Sequence, residues 1–319
     1  MMPGSRSTMK FPFALYRHIP PLRRLLDERS ALRLENEALM SEREELLREL
    51  AIRKQRIPDD APNLVYVDDP GMGEEAERML GILKPMNVRG AARIRAGGES
   101  DGGYIMIDQG LDDAIMYSFG INGNVRWDLE MAHRGCQIYQ YDHTIDALPE
   151  EHPNFHWFKQ GIAASPSGDG MMTSIDEILK IHGHQGRRDI VLKMDIEDSE
   201  WEVFEEISET DVSHFSQILV EMHKMFTRNY TDPANREHME RRRAVLEKID
   251  RTHQLVHLHA NNYGSFGIIG GVAMPDVLEM TYVRRTDHML DPCHLSFPTD
   301  VDRSNKGGRA DFYFGTIGR

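Results

Sequence analysis

The stretch from Asp189 to Trp201 constrains the fold of this chain more than any other. It opens with a short apolar run, which is typical of a strand buried on both faces of a parallel sheet. Lys193, Asp195 and Glu197 then alternate at the end of the run, and an N-cap residue followed by an acidic residue opens a helix. Ligands bind at the carboxyl ends of strands in open α/β sheets. The stretch therefore predicts either a functional site at this edge or a strand end whose carboxylates meet solvent.

From Asp113 onward, strands and helices alternate in the rhythm of βαβ units. Strands are predicted at residues 114–119, 137–141, 155–158, 189–194, 215–220, 254–259 and 277–283. Helices are predicted at residues 125–134, 172–182 and 235–249, and from Asp198 or Ser199 onward. The predicted fold class is therefore α/β, with a Rossmann-like sheet.

Residues 21–55 are predicted to form one long helix, because prolines precede and follow them. Leucine recurs every seven residues, at Leu25, Leu32, Leu39 and Leu46. This is the spacing of a coiled-coil seam, and Asn36 at a companion position favours a parallel dimer at some cost in stability. We expect the helix to join two copies of the chain; the alternative is a solvated amphipathic helix lying on its own domain.

The domain organisation follows from these elements. Residues 1–57 are predicted to be the coiled-coil region, and residues 58–87 a linker with a short helix at 74–83, because prolines, aspartates and glycines crowd residues 57–73. Residues 88–319 are predicted to form the α/β domain.

The overall charge limits the kinds of molecule that we expect this protein to bind. A formal charge of -14 argues against general nucleic-acid binding, which needs a basic face. No run is long and apolar enough to span a bilayer, and the two cysteines, Cys136 and Cys293, form no framework or zinc pattern. We therefore expect a cytoplasmic protein whose substrate is not a nucleic acid.

The first two predicted strands end in residues suited to a nucleoside. Gly120-x-x-Gly123 follows the first strand, and Asp142 closes the second, where a carboxylate can hold two ribose hydroxyls. The three-glycine phosphate cradle of dinucleotide sites is absent, which favours a cofactor without phosphates, such as S-adenosylmethionine. The alternative for Asp142 is a surface acid that caps the next turn. Upstream, Asp101-Gly102-Gly103 predicts a hairpin whose glycines also let the backbone approach a ligand.

The later strands end in acids and imidazoles: Asp195, Glu221 with His223, and His259. Adjacent parallel strands would bring Asp195 near Glu221 and His223. Such a cluster can supply a general base for a hydroxyl, or it can bind a hard divalent ion through Asp195, Glu221 and His223. His257, inside its strand, is predicted to be a core histidine.

Several segments resemble FkbM-type methyltransferases and their methyltransferase-like relatives. They are Asp101-Gly102-Gly103-Tyr104, Phe119-Gly120-Ile121-Asn122, Tyr139-Gln140-Tyr141-Asp142, Lys193-Met194-Asp195-Ile196-Glu197, Ile218-Leu219-Val220-Glu221-Met222-His223 and His259-Ala260-Asn261-Asn262. The resemblance spans about residues 93–285 and rests on the order of these segments along one sheet. It departs from the family in two places: Asp198 replaces the usual glycine, and Ser118-Phe119 stands where Asp-x-Gly-Ala is usual.

The resemblance implies the seven-stranded sheet of class I methyltransferases, with strands six and seven antiparallel, and methyl transfer from S-adenosylmethionine to oxygen in sugars or natural products. It also implies a set of cofactor contacts: Asp101, Gly102, Gly103, Tyr104, Phe119, Gly120, Asn122 and Asp142. We expect an O-methyltransferase in which His223 or His259 takes the hydroxyl proton while Asp195 and Glu221 orient it or hold a metal. The alternatives are a catalytically idle domain in a coiled-coil assembly protein and a nicotinamide-dependent oxidoreductase.

Overall fold

The computed structural model describes residues 24, 27–35, 38–39, 63–226 and 234–317. The chain divides into two compact units, Met1–Asp59 and Asp60–Arg319. In the first unit the described residues are helical (α1) and exposed, and they include Leu32 and Leu39 of the predicted seam. Most of the predicted coiled coil lies outside the described residues, so its pairing stays a prediction.

The second unit contains six α-helices and eighteen strands among the described residues. The helices are α2 (Pro70–Ile82), α3 (Arg126–His133), α4 (Ile175–Ile181), α5 (Glu200–Glu206), α6 (Glu209–Val212) and α7 (Asn235–Thr252). The first nine strands are β1 (Asn63–Val67), β2 (Met86–Val88), β3 (Arg93–Ala96), β4 (Tyr104–Ile107), β5 (Ile115–Phe119), β6 (Gln137–Tyr141), β7 (Phe155–Phe158), β8 (Gly161–Ile162) and β9 (Met172–Thr173). The remaining strands are β10 (Ile190–Met194), β11 (Phe215–Met222), β12 (His253–Ala260), β13 (Ser265–Ile269), β14 (Val272–Pro275), β15 (Leu278–Arg284), β16 (Leu290–Pro292), β17 (Ser296–Phe297) and β18 (Gly315–Thr316).

Seven strands form the central sheet, in the order β12-β15-β11-β10-β5-β6-β7. The strands from β11 to β7 are parallel, whereas β15 runs antiparallel to both β11 and β12. This is the Rossmann-like sheet that the sequence predicts, with the last two strands as an antiparallel pair. The chain order reverses between β5 and β10, so the crevice at their carboxyl ends is where such sheets bind ligands.

Strand β10 is at the centre of the sheet because it can be buried on both faces. All five of its residues are buried. Ile190, Leu192 and Met194 pack into the larger hydrophobic core, and Val191 packs into a smaller one on the opposite face. Lys193 shares the face of Val191, which brings a cation into an otherwise apolar layer.

The prediction of a linker at residues 57–73 is wrong for the second half of that range. Asn63–Val67 forms β1, which pairs in parallel with β13, and α2 begins at Pro70 with Asp69 as its N-cap. The prolines and glycines that indicated a linker instead mark the turn and the first helical position. In the same way, the helix predicted at 172–182 begins only at Ile175, because Met172–Thr173 pairs with β8 and Ser174 supplies the cap.

The predicted hairpin is present, with a longer loop than a tight turn. Strands β3 and β4 are antiparallel neighbours, and residues 97–103 connect them. No helix in the described part of the chain is long and apolar enough to cross a membrane.

Candidate functional site

The turn after β5 brings two strand ends into contact. Gly120 has φ 77°, and a Cβ added there would lie 1.6 Å from the backbone oxygen of Asp195, just past β10. Only glycine fits a positive φ with a carbonyl at that distance. The turn is fixed further by Lys193, whose Nζ donates to the Gly120 carbonyl at 2.5 Å.

Asp142 holds the same turn from the end of β6. Its Oδ2 accepts hydrogen bonds from the backbone amides of Ile121 and Asn122, both at 2.8 Å. Its Oδ1 accepts from the backbone amide and hydroxyl of Thr144, at 2.7 and 2.6 Å. Burial alone would raise the pKa of Asp142, but these bonds outweigh it and lower the pKa. A carboxylate can accept about four hydrogen bonds, and the Asp142 carboxylate already accepts four. A ribose hydroxyl can therefore bind Asp142 only if Thr144 moves away.

A cavity of about 720 Å³ opens over this turn. Toward β6 it is bounded by Asp142, His143, Thr144, Gly161, Ile162 and Met172. Toward the β3–β4 hairpin and β10 it is bounded by Asp101, Gly102, Tyr104, Trp127, Asp128, Lys193, Asp195 and Glu197. A cavity of this size is in the usual range for a cofactor site.

Six of the eight predicted cofactor residues line the cavity: Asp101, Gly102, Tyr104, Gly120, Asn122 and Asp142. Gly103 and Phe119 do not. The Phe119 ring is fully buried in the core, edge-on to Tyr141 at 5.7 Å, because alternation along β5 turns it away from the crevice.

Carboxylates form the floor of the cavity beside Gly120. The Tyr104 hydroxyl donates to Asp195 Oδ2 at 2.9 Å, and Asp195 Oδ1 accepts no hydrogen bond within the described residues. Glu197 lies next to it, with Oε2 3.6 Å from Nε2 of His223. The cavity therefore presents at least one carboxylate oxygen that is free to bind a polar group.

His223 lies behind this floor, and its environment favours the charged ring. Its Nδ1 is 3.2 Å from Oε1 of the fully buried Glu200, and its Nε2 is 3.7 Å from Glu221 Oε1. Burial would lower the pKa of His223, but the hydrogen bond to Glu200 and the charge of Glu200 outweigh it and raise the pKa above its ordinary value. A ring that carries a proton must lose it before it can accept another, and the role of His223 as the base stays a prediction.

Glu221 and His259 are also brought near the site without lining the cavity. Glu221 is buried and accepts from Asn261 Nδ2 at 2.7 Å. Burial, and then the nearby charge of Asp195, raises the pKa of Glu221 well above its usual range.

Both ring nitrogens of His259 donate to carboxylates at 3.0 Å, Nδ1 to Glu279 and Nε2 to Asp311. Both ring nitrogens of His259 are therefore engaged by carboxylates, and its role as the base stays a prediction. His257 is a core histidine, as expected, bonded to Asp302 at 2.8 Å.

The C-terminal strap, residues 299–311, supplies several of these partners. Besides Asp311, it contributes Asn305, whose amide donates to Glu279 at 2.5 Å and to Asp101 at 3.0 Å. Asn262, just past β12, bonds in turn to the backbone of Lys306 and Arg309. The strap therefore closes the β12 side of the site.

Two groups of carboxylate and imidazole ligands in the described residues have the spacing of a metal site. Asp195, Glu197 and His223 form one, and Asp101, Glu221 and Glu279 form the other, with ligand atoms within 4.8 Å of one another in each. The predicted trio of Asp195, Glu221 and His223 is therefore divided between the two groups. Glu197 replaces Glu221 in the first because it lies two residues past Asp195 on the same loop.

A family model described as a methyltransferase domain matches residues 65–263. This chain belongs to that methyltransferase family. It is an S-adenosylmethionine-dependent methyltransferase, and the cavity suits that cofactor: two apolar side chains, Ile162 and Met172, are on the Asp142 side, and polar groups are on the other. No curated protein matches the sequence.

Two solved structures are distantly similar to the methyltransferase. One, from Pyrococcus horikoshii, is assigned by its name to the RNA methyltransferases, at 6% identity and a TM-score of 0.24 over 55% of this chain and 76% of that one. The other is a point mutant of the 16S rRNA (adenine(1408)-N(1))-methyltransferase from Catenulisporales acidiphilia, at 10% identity and a TM-score of 0.29 over 63% of this chain and 99% of that one. Similarity at this level does not bear on the acceptor of the present enzyme.

The loop after β10 explains one departure of the methyltransferase from its family. Asp198 has φ 86°, a conformation that favours glycine, and glycine is the residue usual there in the FkbM-type pattern. Its carboxylate pairs with Lys224, but both side chains are partly exposed, so the ion pair contributes little.

We expect Asp198→Gly to stabilise the methyltransferase by about 1 kcal/mol, because relief of the positive φ outweighs the lost ion pair. The midpoint of urea unfolding measures the change. Asp198→Asn removes the same charge and keeps the side chain, so it should be neutral or slightly destabilising. A glycine variant no more stable than the asparagine variant would contradict this account.

The paired imidazole of His259 also gives a pH prediction. Burial would lower the pKa of His259, but the bonds to Asp311 and Glu279 raise it to about 10, above the ordinary value of 6.5. Because the pKa of His259 is higher in the folded state than in the unfolded state, protonated His259 stabilises the fold fully below pH 6.5. This stabilisation disappears as pH rises toward 10. His259 alone should therefore make unfolding easier by about 3 to 5 kcal/mol across that window. A His259→Gln variant should be less stable at pH 6 and flatter above it; equal slopes would refute the assignment.

Proposed function

We propose that this methyltransferase transfers a methyl group to a hydroxyl of a sugar, a glycan or a glycosylated natural product. The observation that carries the proposal is the pair of carboxylates, Asp195 and Glu197, lining the cofactor cavity beside the Gly120 turn. A carboxylate there can orient a hydroxyl and accept its proton as the oxygen attacks the sulfonium methyl. Positioning of oxygen and methyl carbon in line supplies much of the remaining barrier reduction.

The charge of the cavity supports an uncharged acceptor. Its lining includes five carboxylates, Asp101, Asp128, Asp142, Asp195 and Glu197. Lys193 is the only lysine or arginine among the described lining residues, and it is already bonded to Gly120. A phosphate or a nucleic-acid backbone would be repelled here, whereas a neutral hydroxyl would not.

A divalent ion is a further part of the proposal. Asp195, Glu197 and His223 could together hold Mg²⁺ or Mn²⁺ once the ion displaces the proton on Nε2 of His223, and the buried Glu200 would orient the ring through Nδ1. Such an ion would lower the pKa of a bound hydroxyl. We expect EDTA treatment to reduce turnover and Mg²⁺ or Mn²⁺ to restore it. Unchanged turnover after thorough chelation would remove the metal from the proposal.

The test is incubation with S-adenosylmethionine labelled in its methyl group and a panel of neutral glycosides, each paired with its phosphorylated counterpart. We expect label on oxygen of a neutral glycoside and none on the phosphorylated partner. Label on nitrogen or on RNA would overturn the O-methylation proposal. Cofactor binding without transfer to any acceptor, including cell-envelope glycans, would favour the idle-domain alternative.

We also propose that the enzyme works as a dimer joined through residues 21–55, in the cytoplasm. Leu32 and Leu39 are separated by seven residues and are 64% and 56% exposed, which suits a helix that has a partner. The described cysteines, Cys136 and Cys293, are free thiols, as in a reducing compartment. Sedimentation equilibrium should give twice the chain mass, and a Leu32→Lys, Leu39→Lys variant should give the mass of one chain.

A further inference from the structure

Three carboxylates from separate segments meet beside the C-terminal strap. Asp101 comes from the loop between β3 and β4, Glu221 from β11 and Glu279 from β15, and one oxygen of each lies within 4.8 Å of the others. Strand register brings two of them together, because Glu221 is directly opposite Glu279 in the antiparallel β11–β15 pair. Both of these glutamates are buried. Asp101 is exposed and lines the cavity, so the group can be reached from there.

The protein offsets only part of the negative charge of this group. Among the described residues, no lysine or arginine forms an ion pair with any of the three carboxylates. Glu279 pairs with His259 at 3.0 Å, but His259 also pairs with Asp311 at the same distance. Nε2 of His223 lies 3.7 Å from Glu221. Carboxylates this close repel one another strongly where water is excluded, and a bound cation would relieve the repulsion.

A second, independent observation comes from the strap. The side chain of Asn305 is 2% exposed, and its amide nitrogen donates to Asp101 at 3.0 Å and to Glu279 at 2.5 Å. The amide oxygen is about 2.2 Å from that nitrogen by covalent geometry. This oxygen is buried and has no hydrogen-bond partner within the described part of the chain. An unpartnered buried carbonyl oxygen is costly, and a cation is one of the partners that would satisfy it.

The Asn305 amide can bring this oxygen to the carboxylates. A half-turn about the last side-chain bond exchanges the oxygen and the nitrogen while the shape of the side chain stays the same. The neighbouring Asn261 donates to Glu221 at 2.7 Å, and its own oxygen accepts from the backbone amide of Tyr263 at 2.9 Å. Asn261 would lose that bond on turning, so Asn305 is the better source of an oxygen ligand.

We infer that this group binds one hard divalent cation, of the class of Mg²⁺, Mn²⁺ and Ca²⁺. Its ligands are Asp101, Glu221, Glu279 and Asn305. Carboxylate and amide oxygens are the ligands that these ions prefer. The ion joins the β3–β4 loop, the central sheet and the strap, so it holds the strap over the β12 side of the site. The inference goes beyond the proposed function, because this group is separate from Asp195 and Glu197 and does not depend on the acceptor.

The experiment is isothermal titration of MgCl₂, MnCl₂ and CaCl₂, each in turn, into full-length protein freed of metal with EDTA and then dialysed. All proteins carry Glu197→Gln, which disables the other group of ligands, and no cofactor is present. We expect at least one of the ions to bind with a Kd below about 1 mM. Asp101→Asn and Glu279→Gln should each weaken that binding about 10- to 100-fold, as for the loss of a charged partner.

Two further variants separate a ligand from a structural residue. Asn305→Asp adds a carboxylate to the group, so it should bind the ion more tightly, which a purely structural role for Asn305 does not predict. Asp146→Asn removes a carboxylate that is 96% exposed and should leave the Kd unchanged.

Two results would overturn the inference. One is a Glu197→Gln protein that binds none of the three ions with a Kd below about 1 mM. The other is an Asp101→Asn or Glu279→Gln variant that binds the ion as tightly as its parent. Glu279 also holds His259, so its replacement can prevent folding. In that case the Asp101→Asn and Asn305→Asp variants decide the question.

Discussion

Gly120→Ala should abolish cofactor binding. The added methyl would lie 1.6 Å from the Asp195 carbonyl, and alanine at φ 77° is strained even without that contact. Overpacking and the positive φ together cost more than about 3 kcal/mol, so the turn must move away from β10. Because the turn and Asp195 both line the cavity, we expect the affinity for S-adenosylhomocysteine to fall more than about 100-fold.

Gly123→Ala is the matched control for this change. It lies in the same turn, and a Cβ there would meet no atom within 4 Å. The free energy of unfolding should therefore be close to that of the wild type, while Gly120→Ala is clearly destabilised. Calorimetric titration for affinity and urea unfolding for stability would check both variants. A Gly120→Ala protein that binds cofactor normally would contradict the described turn.

Asp195→Asn should separate turnover from cofactor affinity. The Tyr104 hydroxyl holds one oxygen of Asp195, and the other is free among the described residues to meet an acceptor hydroxyl. An amide keeps the shape but cannot take a proton. We expect turnover to fall about 10²- to 10⁴-fold, with the Kd for S-adenosylhomocysteine changed by less than about threefold.

Asp198→Asn provides the comparison for Asp195→Asn. It removes one carboxylate from the same loop, but Asp198 does not line the cavity and pairs with Lys224. Single-turnover kinetics should give near wild-type rates for Asp198→Asn. Equal losses in the two variants would mean that loop charge, rather than the Asp195 carboxylate, supports the reaction.

The positions of the central strands could be predicted from sequence because each is short, apolar and flanked by turn residues. Strand β10 illustrates this: five buried residues in a row permit few structures other than a strand buried on both faces. Strand β1 could not be predicted, because its partner β13 is distant in sequence and the residues around β1 resemble a linker. Pairing between distant segments leaves no local signal.

For the site, the sequence predicted the positions of residues better than it predicted their hydrogen-bond partners. The strand-end rule correctly predicted that Asp142 and Asp195 line one cavity. It could not predict that Thr144 and two backbone amides already occupy the Asp142 carboxylate, nor that Glu279 and Asp311 both hold His259. Protonation of an imidazole depends on every group around the ring, and here those groups come from separate segments.

The sequence indicated Glu197, which alternates with Lys193 and Asp195 at the end of the predicted strand, but Glu197 was not among the predicted site residues. Trp127 and Asp128 also line the cavity, and the sequence gave no signal for them. An aromatic or acidic residue on a helix usually packs or meets solvent, so neither stands out by type.

The strap formed by residues 299–311 has a practical consequence for anyone handling this enzyme. Removing the carboxyl-terminal end would leave Glu279 without Asn305 and His259 without Asp311, exposing the acidic interior to water. Shortened versions designed from the matched family region alone would therefore lack part of the wall that an acceptor meets. Variation in this segment could also change which acceptors enter the site while the affinity for the methyl donor stays the same.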